Sequence, residues 1–176
     1  ARPFLSVIIP AYNEAKRLPL TLIDIDKHLQ QQEYSYEILV VNDGSTDNTA
    51  LLVAKLPEVM LICLDKNSGK GAAVKRGMLV AAGDLRLFMD ADNSADIREL
   101  DNFLPYLKHY QIVIASRALP DSKLVPQVWW KVLAGKTGNR LIQLLAVPGI
   151  KDTQCGFKLF TKEAAELFTK QTLNGF

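Results

Sequence analysis

Cysteine, histidine and tryptophan each occur only twice in 176 residues, and neither charge sign dominates: 21 Lys and Arg stand against 19 Asp and Glu, a net of +2. Each scarcity closes a class of reading. Cys63 and Cys155 sit in unlike surroundings, one in an apolar run and one in a polar loop. Neither a disulfide framework nor a cysteine-rich metal site is expected, and a reducing compartment follows. His28 and His109 have no partner signature, so each reads as a surface helix residue and no Ser-His-Asp or Cys-His constellation can be built. A charge of +2 is too small to argue for nucleic acid. No run reaches the roughly 18–20 apolar residues of a membrane span. The opening ARPFLSVIIPAYNE has too short an apolar stretch for a signal peptide and reads as a first core strand.

What remains is an ordinary soluble composition, 48% hydrophobic and 23% charged, on a chain long enough for a sizeable core. One domain over residues 1–176 is expected, cut short on its C-terminal side, because the sequence stops at Asn174-Gly175-Phe176 with nothing to close it. There is no repeat and no low-complexity segment. Apolar, β-rich runs at 4–9 (FLSVII, ending at Pro10), 37–41, 60–64, 85–89, 111–115 and 157–160 predict strands. Helical patterning is expected over 13–32, 46–56 (Asp47 as N-cap), 72–82 (Gly83 as C-cap), 97–109 (bent or broken at Pro105), 128–145 and 162–170, with loops at 117–126 and 151–156. Strands and helices alternate, and the strands are continuous apolar runs, as when both faces are covered. The fold class is therefore α/β with a mostly parallel central sheet. Ligands bind such sheets outside the carboxyl ends of the strands, where PAYNE, NDGSTD, NSGKG and DADNS fall.

The most pointed of these turns ends LFMDADNS. Asp90 and Asp92 lie two apart, on the same side of an extended chain, and like charges so placed call for something positive between them. Hard cations such as Mg2+ or Mn2+ suit a carboxylate pair. Asp92, Asn93 or Ser94 equally suit the N-cap of the next helix. In NSGKG, Gly69 and Gly71 allow close backbone approach and Lys70 brings a point charge to a helix start, which fits a phosphate or a plain turn with a solvated lysine. It is neither a Walker loop nor a dinucleotide fingerprint. Asp43 in NDGSTD reads as a turn residue at a strand end. Tyr12 and Glu14 fit contact with a base or ribose, and Glu14 fits a first-turn carboxylate. The segment around Trp129 and Trp130 is apolar, with Lys123, Lys131, Lys136 and Arg140 about it. It reads as core, as a face for an anionic headgroup, or as a solvated helix face.

Taken in order, SVIIPAYNE, ILVVNDGSTD, NSGKGAAVKRGMLVAAGD, LFMDADNS, IASR and DTQCGFKLF resemble glycosyltransferase family 2 enzymes of the GT-A fold, a Rossmann-like three-layer sandwich. The likeness runs from about residue 5 to about 160. DADNS with DTQCGFK resembles the branch that loads a sugar onto a polyprenyl phosphate, dolichyl-phosphate glucosyltransferases first and mannosyltransferases next. The resemblance implies that Pro10, Tyr12, Glu14, Asp43, Lys70 and Asp90 bind the nucleotide and that Asp90 and Asp92 hold a Mg2+ or Mn2+ ion. Ser94 stands where some relatives supply a metal-ligating Gln, and Asn42 where many have Asp. It implies Asp92, Arg117 and Asp152 as catalytic, and Arg117, Lys131, Lys136 and Gln154 on the acceptor side.

The reaction so implied is inverting transfer of a hexose, glucose from UDP-glucose, to a polyprenyl or dolichyl phosphate, at the cytoplasmic face of a membrane. Such an acceptor is already an anion and needs no strong base. A saccharide acceptor would need one, and Asp152 is the candidate. GDP-mannose as donor is the neighbouring alternative. A nucleotidyltransferase would carry a Gly-rich loop where PAYNE stands. A non-catalytic nucleotide-binding module is the reading from another class.

Overall fold

The computed structural model describes residues 2–116, 125–129 and 156–171. Its framework is a sheet of β1 (Leu5–Ala11), β2 (Tyr36–Asn42), β3 (Val59–Cys63), β4 (Leu85–Met89), β5 (Ile112–Ser116), β6 (Val125–Trp129) and β7 (Phe157–Thr161), in the order β3-β2-β1-β4-β7-β5-β6. The β1–β2, β1–β4 and β2–β3 pairs are parallel. β7 runs antiparallel to both β4 and β5, and β6 antiparallel to β5. β4 and β5, each opposed by β7, therefore share a direction, and β1 to β5 all point one way. The mostly parallel sheet expected from the sequence is present, with β7 inserted against the grain.

Alternation of side chains along the strands divides the core in two. Leu5, Val7, Ile9, Leu87 and Met89 face α1 (Leu18–Leu29), α2 (Thr49–Val53) and α4 (Glu99–Phe103). Ile8, Leu39, Val41, Phe88 and Phe160 face α3 (Lys70–Val80) and α5 (Lys162–Gln171). Two apolar layers on one sheet make the three-layer sandwich.

Several boundaries differ from the sequence reading. β1 does not stop at Pro10 but continues to Ala11, with Pro10 paired to Val41. The β1–β4 ladder ends earlier, at Ile8 and Phe88, so Pro10 has one neighbouring strand only and its missing N–H is tolerated. α1 begins at Leu18, because Asn13, with φ of 55°, turns away to serve the adjacent loop. α2 is five residues long, with Asn48 at the N-cap position. Asp47 still caps it, accepting the Thr49 amide at 2.9 Å. α3 starts two residues earlier than expected and ends at Val80 with Ala81 as C-cap. Gly83 instead donates its amide to Ser6 Oγ at 2.8 Å, packed so closely that a Cβ would lie 2.5 Å from that oxygen. α4 gives way at Leu104 to a 3-10 turn over Leu104–Lys108, since Pro105 cannot donate to the preceding turn.

Residues 125–129, read as loop and helix start, form strand β6, which pairs only with β5, so Pro126 lies on an edge. Trp129 is therefore a strand residue. The rest of the helix expected over 128–145, with Trp130, lies outside the described residues. Among the described residues no helix is long and apolar enough to cross a membrane.

Candidate active site

Strand order reverses beside β1: the chain passes from β1 to β2 and β3 on one side and returns to β4 on the other. Beyond the Ile8–Phe88 pair the two central strands separate, and a crevice opens at this switch point. The resulting cleft of about 400 Å³ is lined by Pro10, Ala11, Tyr12, Glu14, Asp43, Asn67, Gly69, Lys70, Ala73, Asp90, Ala91 and Asp92. All seven residues that the sequence pointed to among the first four turns, Pro10, Tyr12, Glu14, Asp43, Lys70, Asp90 and Asp92, are brought together here.

The turns around the cleft are tied in a closed ring. Asn13 Oδ1 accepts the amides of Thr46 at 2.9 Å and Asp47 at 3.3 Å, and the Asn13 amide donates to Ser45 Oγ at 3.0 Å. The first turn is thereby fixed to the second. Asp43, 4% exposed, fixes the second to the third: Oδ1 accepts the Ser68 amide at 2.7 Å and Oδ2 the Gly69 amide at 2.9 Å. Gly44 must be glycine for this approach, since φ is 68° and a Cβ would lie 2.6 Å from the Asn67 nitrogen. Lys70, at the N-terminus of α3, fixes the third turn to the fourth with Nζ 2.5 Å from Asp90 Oδ1 and 5.2 Å from the centre of the Phe88 ring. Arg17 closes the ring. Its Nε and Nη2 each hold Glu14 at 2.8 Å, and its Nη1 lies 3.7 Å from Asp92 Oδ2.

This ring answers how two carboxylates can share one strand end. Each has its own cation, Lys70 for Asp90 and Arg17 for Asp92. Burial pushes the Asp92 carboxyl up, but hydrogen bonds from Ser94 and the charge of Arg17 outweigh it and leave Asp92 below the ordinary carboxylate value. The Ser94 amide donates to Asp92 Oδ1 at 3.0 Å in a local turn, but the next helix, α4, begins at Glu99 with Arg98 at its N-cap position, so none of Asp92, Asn93 and Ser94 caps it as the sequence suggested. Asp90 is held at its backbone as well, donating to the Gly156 carbonyl at 2.9 Å.

Asp90 and Asp92 are the residues that could hold a divalent cation. Both line the cleft, both side chains are partly open, at 23% and 36%, and both offer the oxygen donors a hard ion prefers. No group of three His, Cys, Asp or Glu is formed among the described residues. The N-terminus of α3 adds backbone dipole and a lysine on the same wall, a setting for phosphate.

Arg117, Lys131, Lys136, Asp152 and Gln154, and with them Cys155, lie outside the described residues. Arg17 was missed by sequence reasoning, although its i,i+3 spacing from Glu14 carried a signal. His28 is not the surface residue expected. It is 8% exposed, with Nε2 3.4 Å from Asp101 Oδ2, because it sits on the inner face of α1. His109 is exposed, as expected, and Cys63 is exposed beside Asn42 at the end of β3.

The family model for glycosyl transferase family 2 matches residues 6–168. Similar proteins include the dolichyl-phosphate beta-glucosyltransferase ALG5C of Trichomonas vaginalis, 40% identical over 185 residues that take in 96% of this chain and 55% of the relative. The dolichyl-phosphate beta-glucosyltransferase of Dictyostelium discoideum is 41% identical over 180 residues (92% and 55%), and that of Homo sapiens 36% over 180 residues (92% and 56%). The chain thus spans about half the length of the relatives it matches. Among solved structures, mannosyl-3-phosphoglycerate synthase from Rubrobacter xylanophilus superposes with a TM-score of 0.64 at 21% identity, over 92% of this chain and 54% of its own. The mannosyltransferase PcManGT from Pyrobaculum calidifontis, solved with GDP-Man and Mn2+, gives 0.58 at 22% identity (94% and 46%). These neighbours have the GT-A architecture, and the likeness shows that fold here.

Proposed function

The chain belongs to glycosyltransferase family 2, and from that premise we propose that the protein transfers glucose from UDP-glucose to dolichyl phosphate or another polyprenyl phosphate. The observation that carries the reading is the convergence at the switch point of an acidic pair, two cations and a helix N-terminus, the set a nucleoside diphosphate needs. The names of the relatives supply the sugar and the acceptor. In this reading Pro10, Tyr12 and Glu14 bound the nucleoside end of the cleft, Asp43 holds the wall against it, and Lys70 faces the diphosphate. Asp90 and Asp92 would hold a Mg2+ or Mn2+ ion, which when bound offsets charge on the diphosphate.

The chemistry is one displacement. A phosphate oxygen of the lipid forms a bond to the sugar C1, the bond from C1 to the diphosphate oxygen breaks, and its electron pair leaves with UDP. Lys70 and Arg117 are assigned to the charge that gathers on the leaving group, Arg117 with Lys131, Lys136 and Gln154 to the acceptor. The acceptor phosphate arrives as an anion, so no base is required, and Asp152 is assigned a place beside it. Displacement at an α-linked donor gives a β product, the configuration named for the relatives. A lipid acceptor places the full-length protein at a membrane surface, on its cytoplasmic face.

Calorimetric titration with UDP, GDP, dTDP and CDP, each with and without Mn2+, tests the donor half. UDP is expected to bind in a Mn2+-dependent way, and Asp92→Asn to abolish that dependence. A preference for GDP would replace glucose by mannose in the reading, and binding of none would overturn it. Transfer of labelled glucose to dolichyl phosphate with retained configuration would overturn the single displacement.

A further inference from the structure

A row of polar side chains at the start of α1 and along it faces the segment after β4. Arg17, Thr21, Asp24 and His28 recur at i, i+4, i+7 and i+11, which places them in one row. Each meets the segment that begins with the acidic turn. Arg17 Nη1 lies 3.7 Å from Asp92. Thr21 Oγ1 donates to the Ala91 carbonyl at 2.9 Å. Asp24 holds Arg98 at 3.1 Å and Asn93 at 3.5 Å. His28 lies 3.4 Å from Asp101. The row therefore lies along residues 91 to 101.

The contact at Thr21 differs from the others in kind. Thr21 is 3% exposed, and its hydrogen bond to Ala91 is buried. The hydroxyl has an intrahelical acceptor in the Arg17 carbonyl, at 3.3 Å, yet its shorter contact points out of the helix. Ala91 is the residue between Asp90 and Asp92, and Thr21 fixes its carbonyl between the two carboxylates. Asn93, which follows, has φ of 55°, so the chain leaves the pair by a sharp turn that Asp24 and Arg98 brace from outside. A peptide flip at 91–92 would swing Asp92 away from the cleft. The Thr21 hydroxyl opposes it.

We propose that Thr21 is a positioning residue for the acidic turn: through the Ala91 carbonyl it fixes the aim of the Asp90 and Asp92 carboxylates toward the cation and diphosphate. The inference rests on the donor-site reading above and adds to it the residue that sets the geometry. The kinship is with outer-shell partners that orient metal ligands without touching the ion.

The test uses the full-length protein, with Mn2+ binding followed by electron paramagnetic resonance in the presence of saturating UDP. Thr21→Val keeps the shape and removes the hydroxyl, and Thr21→Ser restores the hydroxyl alone. The expected result is about a tenfold loss of Mn2+ affinity in Thr21→Val, with Thr21→Ser within about twofold of wild type. A folded Thr21→Val that melts lower but binds Mn2+ as wild type does would overturn the proposal, because a purely structural threonine moves only the melting temperature. Should Thr21→Val not fold, Thr21→Ala decides in its place, since it too removes the hydroxyl and adds no bulk. A loss of about threefold or more in Mn2+ affinity supports the proposal and wild-type affinity overturns it. Wild-type protein that binds no Mn2+ with UDP would instead sink the donor-site reading itself.

Discussion

Lys70 holds its ammonium 2.5 Å from Oδ1 of Asp90, and so occupies from the protein side a position that a bound cation would take from the other. The two residues come from different turns, one opening α3 and one closing β4. Under the proposed function, their pairing would make Lys70 a competitor for the ion and a partner for the diphosphate at once.

Replacing Lys70 with Met separates those roles. UDP affinity should fall about tenfold, the size of one charge-assisted hydrogen bond of roughly 1.4 kcal/mol. Mn2+ affinity without nucleotide should rise, because a like charge has left the carboxylate. Calorimetry with UDP and with Mn2+ alone checks both signs. Parallel losses for both ligands would show that Lys70 acts only through the fold.

Asp43 should prove more important to the fold than its place in a turn suggests. Both of its oxygens are committed to backbone amides at Ser68 and Gly69, and it is buried. Asp43→Ala leaves those two donors without a partner. A cost of about 3 kcal/mol is expected, seen as a fall of roughly 6–12 °C in Tm. UDP binding should weaken as well, because the wall of the cleft is released. A Tm within a degree or so of wild type would contradict the clamp.

At Gly156 a Cβ would lie 1.6 Å from Oδ2 of Asp90. Gly156→Ala must therefore displace the Asp90 carboxylate or the strand that carries it. Mn2+-dependent UDP binding should fall about tenfold or more, with a smaller effect on Tm, since the clash falls on a partly open side chain. Differential scanning fluorimetry with and without ligand separates the two effects.

Three carboxylates contribute to the acid limb of stability. Hydrogen bonding from Arg98 lowers Asp24, and hydrogen bonding from Thr49 lowers Asp47. At Asp92 burial acts upward, but Ser94 and Arg17 prevail and the carboxyl is lowered. Each folded value lies below the ordinary 3.8, so the unfolded chain takes up protons first. Their contribution is complete above about pH 4 and is lost as pH falls through the folded values. Urea unfolding at pH steps from about 6 to 3 should show stability falling on the acid side, with the slope reduced in Arg98→Gln. An unchanged slope would show that the Asp24–Arg98 pair is fully screened.

Much of this architecture is legible in the sequence because buried strands announce themselves. FLSVII, EILVV and LRLFM are apolar but for Ser6, Glu37 and Arg86, as parallel strands covered on both faces tend to be. The four polar turns follow from them, since each lies at a carboxyl end, and the cleft gathers all four. What could not be read depends on partners distant in the chain. β6 carries Pro126, which speaks for a loop until its edge position is known. β7 looks like any other strand, and nothing in FKLF states that it runs backwards between β4 and β5. Thr21 and His28 look like solvent-facing residues of an amphipathic helix, and only the acidic segment laid along them makes them buried. Arg17 and Lys70 could be seen as basic, but their assignment to one carboxylate each is a matter of tertiary geometry.

The insertion of β7 also sets an order of assembly. β3, β2, β1 and β4 are all complete by Met89 and pair only with one another, apart from the outer side of β4. This parallel half can form on a nascent chain. β5 and β6 can make their own ribbon, but β5 reaches the rest of the sheet only through β7, which is synthesised last of the seven. Until then the far side of β4 presents an open ladder, next to the strand end that carries Asp90 and Asp92. Closing it requires a contact between distant segments, the slow kind. Completion of the cleft is thus coupled to the arrival of residues 156–161, whose Gly156 carbonyl then takes the Asp90 amide.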